Sequence, residues 1–311
     1  MAASDRSQLV AVSLKVLYVL LTVVMLSLVR AVEGVPVTQV MFFRCFFAIL
    51  PVLAFLAWRS ELKVMFRTAR PLAHARRTVM GVTCTGLTFV AVKNLPLPEA
   101  VTLQYSQPLF VVAFSAIFLG EQVRAFRWGA VAFGFAGVLV VSWPNLTLLA
   151  DPGQMSHAQL VGVSAALAGS AGVATVLLLV GDLVRTERPT TITAWSWLVS
   201  SSLLAFTAFG GWVALSLQQA ALLVLTGIIG GTIQLLMAQS LKFALASATA
   251  AFEYTSLIFA TAIGFYVFGD IPGLNTLAGG AMVISAGLLI IWRERRRGKA
   301  RAARTSLVPS S

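Results

Sequence analysis

The sequence predicts an all-α membrane protein with ten transmembrane helices, arranged as two inverted five-helix repeats. Three observations predict it: the composition, the spacing of the apolar segments, and an internal repeat. Of the 311 residues, 58% are hydrophobic and only 11% are charged, and the mean hydropathy is +0.88. Soluble domains carry about a quarter charged residues. A chain of this composition cannot cover a surface that faces water, so we expect it to lie in a lipid bilayer.

Ten apolar segments are long enough to cross the hydrocarbon core of a bilayer, which takes about 20 helical residues. They fall at residues 9–29, 36–58, 77–93, 98–119, 127–143, 159–181, 191–210, 219–240, 245–268 and 274–292. The connections between them are short, so no separate soluble domain is expected. The first segment lacks a small-residue cleavage site, and we interpret it as a membrane span rather than a signal peptide.

The basic residues are distributed unevenly between the two sides of the predicted bundle. With the N-terminus on the inner side, 19 of the 23 Lys and Arg residues fall on that side, and only Arg30 and Lys93 fall outside. The positive-inside rule therefore predicts that both termini are cytoplasmic, including a basic tail at residues 293–311. Because the net charge of +12 is spread over loops and tail, no nucleic-acid partner is expected.

An internal repeat relates residues 93–121 to residues 242–270 at a constant offset of 149, without a gap. The polar matches are Lys93 with Lys242, Gln104-Tyr105 with Glu253-Tyr254, and Gly120-Glu121 with Gly269-Asp270. The repeat divides the chain into a first unit at 8–143 and a second at 159–292. Because each unit holds five spans, an odd number, the second unit enters the membrane from the opposite face. Inverted repeats let a central site face either side in turn, so this architecture predicts a transporter.

Two segments carry a family resemblance: PLPEAVTLQYSQPLFV at residues 96–111 and MAQSLKFALASATAAFEYTSLIFA at residues 237–260. Together with the two five-span units, they resemble the EamA-type branch of the drug/metabolite transporter superfamily. The resemblance implies a bacterial inner-membrane secondary transporter that works by alternating access. It also implies a central cavity lined mainly by spans 1, 3, 4, 6, 8 and 9, with span 2 more peripheral. Members of the family carry amino acids, riboflavin, S-adenosylmethionine, metallophores or cationic drugs, in either direction.

Glu253 lies close to the middle of the predicted span 245–268. A charged group there costs about 2.5–3.5 kcal/mol on insertion scales, so it is expected to face water, pair with a cation or take up a proton. We interpret it as a carboxylate that contacts substrate or couples transport to protons; a structural hydrogen bond is the alternative. Its mate Gln104 and the repeat-related rings of Tyr105 and Tyr254 lie at the same depth. The two rings are expected to stack on a planar substrate, with ordinary packing as the alternative.

Further polar residues occupy other predicted spans. Gln234, on span 8, is a candidate substrate contact. Arg44, on span 2, is expected to hold an anionic group, to pair with Glu253, or to extend to the outer interface. Lys15 lies nearer the inner end of its span, and we expect it to extend to that interface. Pro108 predicts a kink in span 4 that span 9 does not share.

The sequence offers no candidates for catalysis, metal binding or cofactor binding. The phosphate-binding pattern G-x-x-x-x-G-K-[ST] is absent, which argues against an ATP-driven pump. Two alternative classes lack support: a membrane enzyme would need a catalytic cluster, and a channel a ring of like residues. A structural or sensory membrane protein stays compatible with the residues. The expected partners are the lipid bilayer and a small-molecule substrate, and a homodimer is compatible with the sequence. Riboflavin is the first expected substrate, followed by amino acids and S-adenosylmethionine, with drugs as a further alternative.

Overall fold

The computed structural model describes residues 2–58, 67–119, 125–147, 157–183, 186–187, 189–243 and 253–305. These residues form twelve α-helices and contain no β-strand. The helices are α1 (Ala2–Ala31), α2 (Val37–Phe47), α3 (Ile49–Trp58), α4 (Pro71–Asn94), α5 (Leu97–Gln104), α6 (Gln107–Leu119), α7 (Ala125–Thr147), α8 (His157–Leu183), α9 (Pro189–Ala205), α10 (Leu217–Phe243), α11 (Thr255–Phe268) and α12 (Leu274–Thr305). The predicted repeat positions Gly120 and Glu121, and the start of the ninth span at 245–252, lie outside the described residues.

The all-α class predicted from the composition is confirmed. Among the described residues, five segments are long and apolar enough to cross a membrane: Val12–Ala31, Val37–Trp58, His157–Leu177, Thr191–Gly210 and Leu217–Leu236. Three shorter apolar stretches lie in α7, α11 and α12. The second predicted span is built from α2 and α3 and the fourth from α5 and α6, so several spans are interrupted helices rather than single rods.

The interruption in the fourth span has a backbone cause. Pro108 has no N–H group, so the carbonyl of Gln104 receives no helical hydrogen bond from it. The chain instead forms shorter-range bonds, from Tyr105 N–H to Thr102 O and from Ser106 N–H to Leu103 O, both at 3.1 Å. The helix is therefore broken at Tyr105, in the middle of the predicted span.

The described part of the ninth span also departs from regular α-helix, at the position that matches Gln104 and Tyr105, although Pro108 has no proline as its mate. Glu253 and Tyr254 adopt a 3-10 conformation, and α11 begins after them at Thr255. The Ser256 hydroxyl donates to the Glu253 carbonyl oxygen at 2.6 Å, which stabilises this turn without a proline. Both departures from the α-helix, which we call breaks, thus fall at the repeat-related tyrosines.

The helix packing is largely unchanged when the two five-span units are exchanged. Helix α4 packs along α8, and α10 packs along α1 in the corresponding way. Three further pairs join spans that the repeat relates to each other: α7 with α12, α2 with α9, and α5 of the fourth span with α11 of the ninth. Elements that pack against their own repeat mates must surround a pseudo-twofold axis. The axis therefore passes between α5 and α11, where both breaks lie.

Two glycines allow the backbones of α7 and α12 to touch. A Cβ atom on Gly137 would lie 2.8 Å from the carbonyl oxygen of Gly279 and 2.8 Å from the Cβ of Met282. Small residues permit such close approach between membrane helices. This contact joins the last spans of the two units.

Candidate functional site

A cavity of about 140 Å³ lies where α1, the α5–α6 break and the start of α11 meet. We call it the tyrosine cavity, after Tyr18, Tyr105 and Tyr254. Its lining also contains Val19, Thr22, Val23, Leu26, Val101, Gln104, Gln107, Pro108, Glu253 and Ser256. Four of the six predicted site residues, namely Gln104, Tyr105, Glu253 and Tyr254, are therefore brought together here.

Tyr105 and Tyr254 contact each other directly. Their ring centroids lie 5.1 Å apart, with the planes inclined at 66°. The Tyr105 hydroxyl is 2.6 Å from Ser256 Oγ and donates to the Tyr254 carbonyl oxygen at 3.2 Å. Residues that are repeat mates can touch only where the pseudo-twofold axis passes between them. The tyrosine cavity therefore lies on the axis that relates the two units.

Glu253 forms an ion pair with Lys15, whose Nζ lies 2.5 Å from Glu253 Oε1. The Lys15 side chain is only 2% exposed, whereas Glu253 is 47% exposed. Lys15 also lies over the Tyr18 ring, 4.5 Å from its centroid. The expectation that Lys15 extends to the interface is wrong, because α1 packs between α10, α11 and α4 and turns this side chain inward. The sequence did contain a signal for this pair, because a lysine and a carboxylate that both lie within membrane spans stabilise each other when they pair.

A second ion pair lies at the C-terminal end of α1, four residues beyond Leu26 of the tyrosine cavity. Arg30, in the last turn of α1, makes a two-pronged contact with Asp270, whose Oδ1 accepts from Nη2 at 2.9 Å. The other oxygen of Asp270 accepts the backbone N–H of Leu97, at the start of α5, at 3.0 Å. Gly269 ends α11 in a left-handed conformation with φ +70° and turns Asp270 toward these partners. One carboxylate thus joins α1, α5 and the end of α11.

The remaining two predicted residues lie elsewhere. Arg44 and Gln234 line a separate cavity of about 220 Å³ between α2–α3, α4, α8, α9 and α10. Arg77 lines it too, so we call it the arginine cavity, after Arg44 and Arg77. Arg44 does not pair with Glu253, because Lys15 holds that position. Arg77 was counted only among the charges at the inner edge, and nothing in the sequence singled it out.

A buried histidine lies three residues before Arg77 on α4. His74, which precedes the predicted span 77–93, stacks on Trp195 with ring centroids 5.8 Å apart. Its Nε2 lies 3.9 Å from the Glu187 carboxylate. Burial lowers the pKa of His74, and the Glu187 carboxylate opposes that shift. The ring is therefore neutral near pH 7.

Comparison with known proteins agrees with this architecture. The model of the EamA-like transporter family matches residues 8–143 and again residues 160–292. An S-adenosylmethionine uptake transporter of Rickettsia bellii is 26% identical over 83% of this chain and 84% of its own. A riboflavin transporter of Rhizobium johnstonii is 29% identical over 84% of this chain and 83% of its own. A pseudopaline exporter of Pseudomonas aeruginosa is 26% identical over 85% and 89%.

One solved crystal structure shares the fold, with a TM-score of 0.60 and 18% identity over 94% of this chain and 98% of that one. The family model matches the chain twice, once in each half, and the two matches together cover most of the sequence. This confirms the two repeated units of the fold class. The relatives are transporters of small molecules rather than enzymes. The chain belongs to the EamA-like transporter family and is a multi-pass membrane transporter.

Proposed function

We propose that this chain moves a small organic metabolite with a planar ring system across the bacterial inner membrane by alternating access, and that the substrate binds in the tyrosine cavity. The contact between the repeat mates Tyr105 and Tyr254 carries the proposal. A site on the axis between two inverted units keeps the same surroundings when the units exchange conformations, so it can open to either side. The breaks at both tyrosines supply backbone that is free to move there.

The chemistry of the cavity favours a flat, hydrogen-bonding substrate. Three tyrosine rings offer faces and edges for stacking. The Nε2 atom of Gln104 is shielded from solvent and has no hydrogen-bond partner within the described part of the chain. A buried donor without an acceptor is destabilising by about 1–3 kcal/mol. A ring carbonyl or ring nitrogen of the substrate would supply that acceptor.

The size of the cavity indicates which part of the substrate it holds. Sites for drug-sized ligands have volumes of about 300–1,000 Å³, and the tyrosine cavity has about 140 Å³. In this conformation it accommodates part of a ring system. The rest of the substrate requires the α1–α11 contacts to open, at the Arg30–Asp270 end or on the opposite side.

Riboflavin is the first substrate candidate, because its flat ring carries carbonyl groups that would accept from Gln104. A relative named as a riboflavin transporter supports this candidate. S-adenosylmethionine is the second, and one contact favours it: two residues that line the cavity already bind a cation, since the Lys15 ammonium pairs with Glu253 and lies over the Tyr18 ring. A substrate cation would take that place, and relatives named as S-adenosylmethionine uptake transporters support it.

The proposed topology places both termini in the cytoplasm, with units 8–143 and 159–292 inverted and the basic residues 293–311 inside. The distribution of Lys and Arg supports it. Single cysteines introduced at positions 93 and 242 should react with an impermeant thiol reagent from opposite sides. A homodimer is the proposed assembly only if light scattering of the detergent-solubilised protein gives twice the mass of 33.1 kDa.

Counterflow in proteoliposomes tests the proposed function. Vesicles preloaded with unlabelled riboflavin, S-adenosylmethionine or an amino acid should accumulate the same labelled compound only if the chain transports it. Gln104→Leu should raise KM about two- to tenfold, the effect of one lost hydrogen bond. Gln218→Leu is the matched control, because Gln218 is exposed at the start of α10. Absence of counterflow with every compound, or equal KM values in the two variants, would contradict the proposal.

A further inference from the structure

The arginine cavity has an unbalanced charge. Arg44 enters it from α2 and Arg77 from α4, and no carboxylate is among the described residues that line it. The other polar lining residues are neutral: Thr78, Thr85, Thr193, Ser196, Ser200 and Gln234. Two positive charges that line one cavity repel each other, and the low dielectric constant of a helix bundle strengthens that repulsion.

The two guanidinium groups are also incompletely hydrogen-bonded. The Nε atoms of Arg44 and Arg77 are shielded from solvent and have no partner within the described ranges of the chain. Nη1 of Arg77 donates to Ser196 Oγ, which is a neutral acceptor. Both side chains are only partly exposed, and a guanidinium that loses water without gaining a counter-charge is destabilised. Ionisable residues inside a membrane bundle commonly mark the site of a solute.

We propose that the arginine cavity binds the carboxylate or phosphate group of a small soluble anion, held by Arg44 and Arg77. A guanidinium offers parallel N–H donors whose spacing matches the oxygens of these groups. The volume of about 220 Å³ equals that of about seven water molecules at ~30 Å³ each. It admits an oxyanion with a few attached carbon atoms.

The bound anion contacts both five-helix units. Arg44 and Arg77 belong to the first unit, whereas Ser196 on α9 and Gln234 on α10 belong to the second. Binding therefore joins the two units at a place distinct from the tyrosine cavity. The site goes beyond the function proposed above, because it requires neither a planar substrate nor the contact between Tyr105 and Tyr254.

Calorimetric titration of the full chain tests this site. The protein is held in nanodiscs of phosphatidylcholine and titrated with succinate and with inorganic phosphate, at an ionic strength fixed by chloride. Saturable binding of at least one anion is expected. Arg77→Gln should weaken it about ten- to hundredfold, the effect of losing a charged hydrogen bond. Arg76→Gln, an exposed neighbour on the same helix, should bind as the unaltered chain does.

Arg77→Gln could lose binding because it does not fold, so a second variant, Gln234→Glu, tests the site independently. It places a carboxylate in the cavity, so it should raise the thermal midpoint of the ligand-free protein and abolish succinate binding. Equal binding by Arg76→Gln and Arg77→Gln, or no binding of either anion to the unaltered chain, would overturn the proposal. The proposal would also be overturned if the protein were stabilised only by added phosphatidylglycerol and this stabilisation required the arginines. The arginines would then bind a lipid headgroup. Riboflavin counterflow by Arg77→Gln separates this site from the tyrosine cavity. Anion binding can be absent while counterflow is present, and counterflow can be absent while anion binding is present.

Discussion

The ion pair between Lys15 and Glu253 makes an asymmetric prediction, because its two partners differ in exposure. Lys15 is 2% exposed and Glu253 is 47% exposed. Coulomb's law at an effective dielectric constant of about 20 gives an attraction of about 7 kcal/mol at the observed distance of 2.5 Å. The loss of water around the Lys15 ammonium opposes this attraction. Removing the carboxylate should therefore be more damaging than removing the ammonium.

Three variants measure the asymmetry. Glu253→Gln leaves a buried ammonium without its carboxylate and should lower the free energy of unfolding by about 3 kcal/mol, the low end for a broken buried pair. Lys15→Met leaves a half-exposed carboxylate that water still reaches, so about 1 kcal/mol is expected. The double variant should resemble Lys15→Met, because it removes both charges of the pair.

The free energies come from unfolding titrations with SDS in mixed micelles, followed by tryptophan fluorescence. Glu33→Gln, an exposed carboxylate after α1, is the matched control and should have little effect. The reasoning is refuted if Glu253→Gln is no more destabilising than Lys15→Met, or if the double variant shows the sum of the two single effects. The first result would contradict the reasoning from the difference in exposure, and the second would mean that the two charges do not stabilise each other inside the bundle.

Four further predictions concern other contacts. Asp270→Asn should weaken the contact with Arg30, so a cysteine introduced into the tyrosine cavity should react several times faster with an impermeant thiol reagent. Tyr105→Phe removes a hydroxyl with two partners and should lower the free energy of unfolding by about 1 kcal/mol, measured in the same titrations. Gly137→Leu should separate α7 from α12 and lower the thermal midpoint, whereas Gly129→Leu, which meets open space, should not. Because burial lowers the pKa of His74 in the folded chain, the unfolded chain binds a proton at a higher pH than the folded chain does, beginning at about pH 6.5. Stability should fall as the pH drops through that range, and His74→Gln should show a flatter profile; an unchanged profile would contradict the assignment.

Much of the fold could be predicted, because hydropathy and the repeat act along the chain. The composition alone requires a bilayer, and the offset of 149 residues identifies the two units that the family model also finds. The same offset brought Tyr105 and Tyr254 together as candidates, and the structure places their rings in contact. Repeat mates are the pairs for which sequence position does predict proximity, since symmetry places them on opposite sides of one axis.

The remainder of the site depended on which helix faces meet. Arg44 was a candidate for holding an anion or pairing with Glu253, with extension to the outer interface as the alternative, and it lies in the other cavity. Arg77 was counted only as an inner charge, yet it lines that cavity with Arg44. The break at Tyr254 was not expected because no proline precedes it, and a serine side chain stabilises it instead. The rotation of a helix about its own axis decides which of its side chains face a given cavity. Spans that are apolar on all sides carry little periodicity from which that rotation could be predicted.

The sequence by itself determined that this protein is helical, lies in a membrane, is duplicated and belongs among transporters, since these follow from composition and from matches along the chain. Only the tertiary structure decided which polar side chains share a space. Lys15 and Glu253 are 238 residues apart, and Arg44 meets Arg77 and Gln234 across three different helices. Electrostatic pairing depends on distances through space, and those are set by how the helices pack against one another.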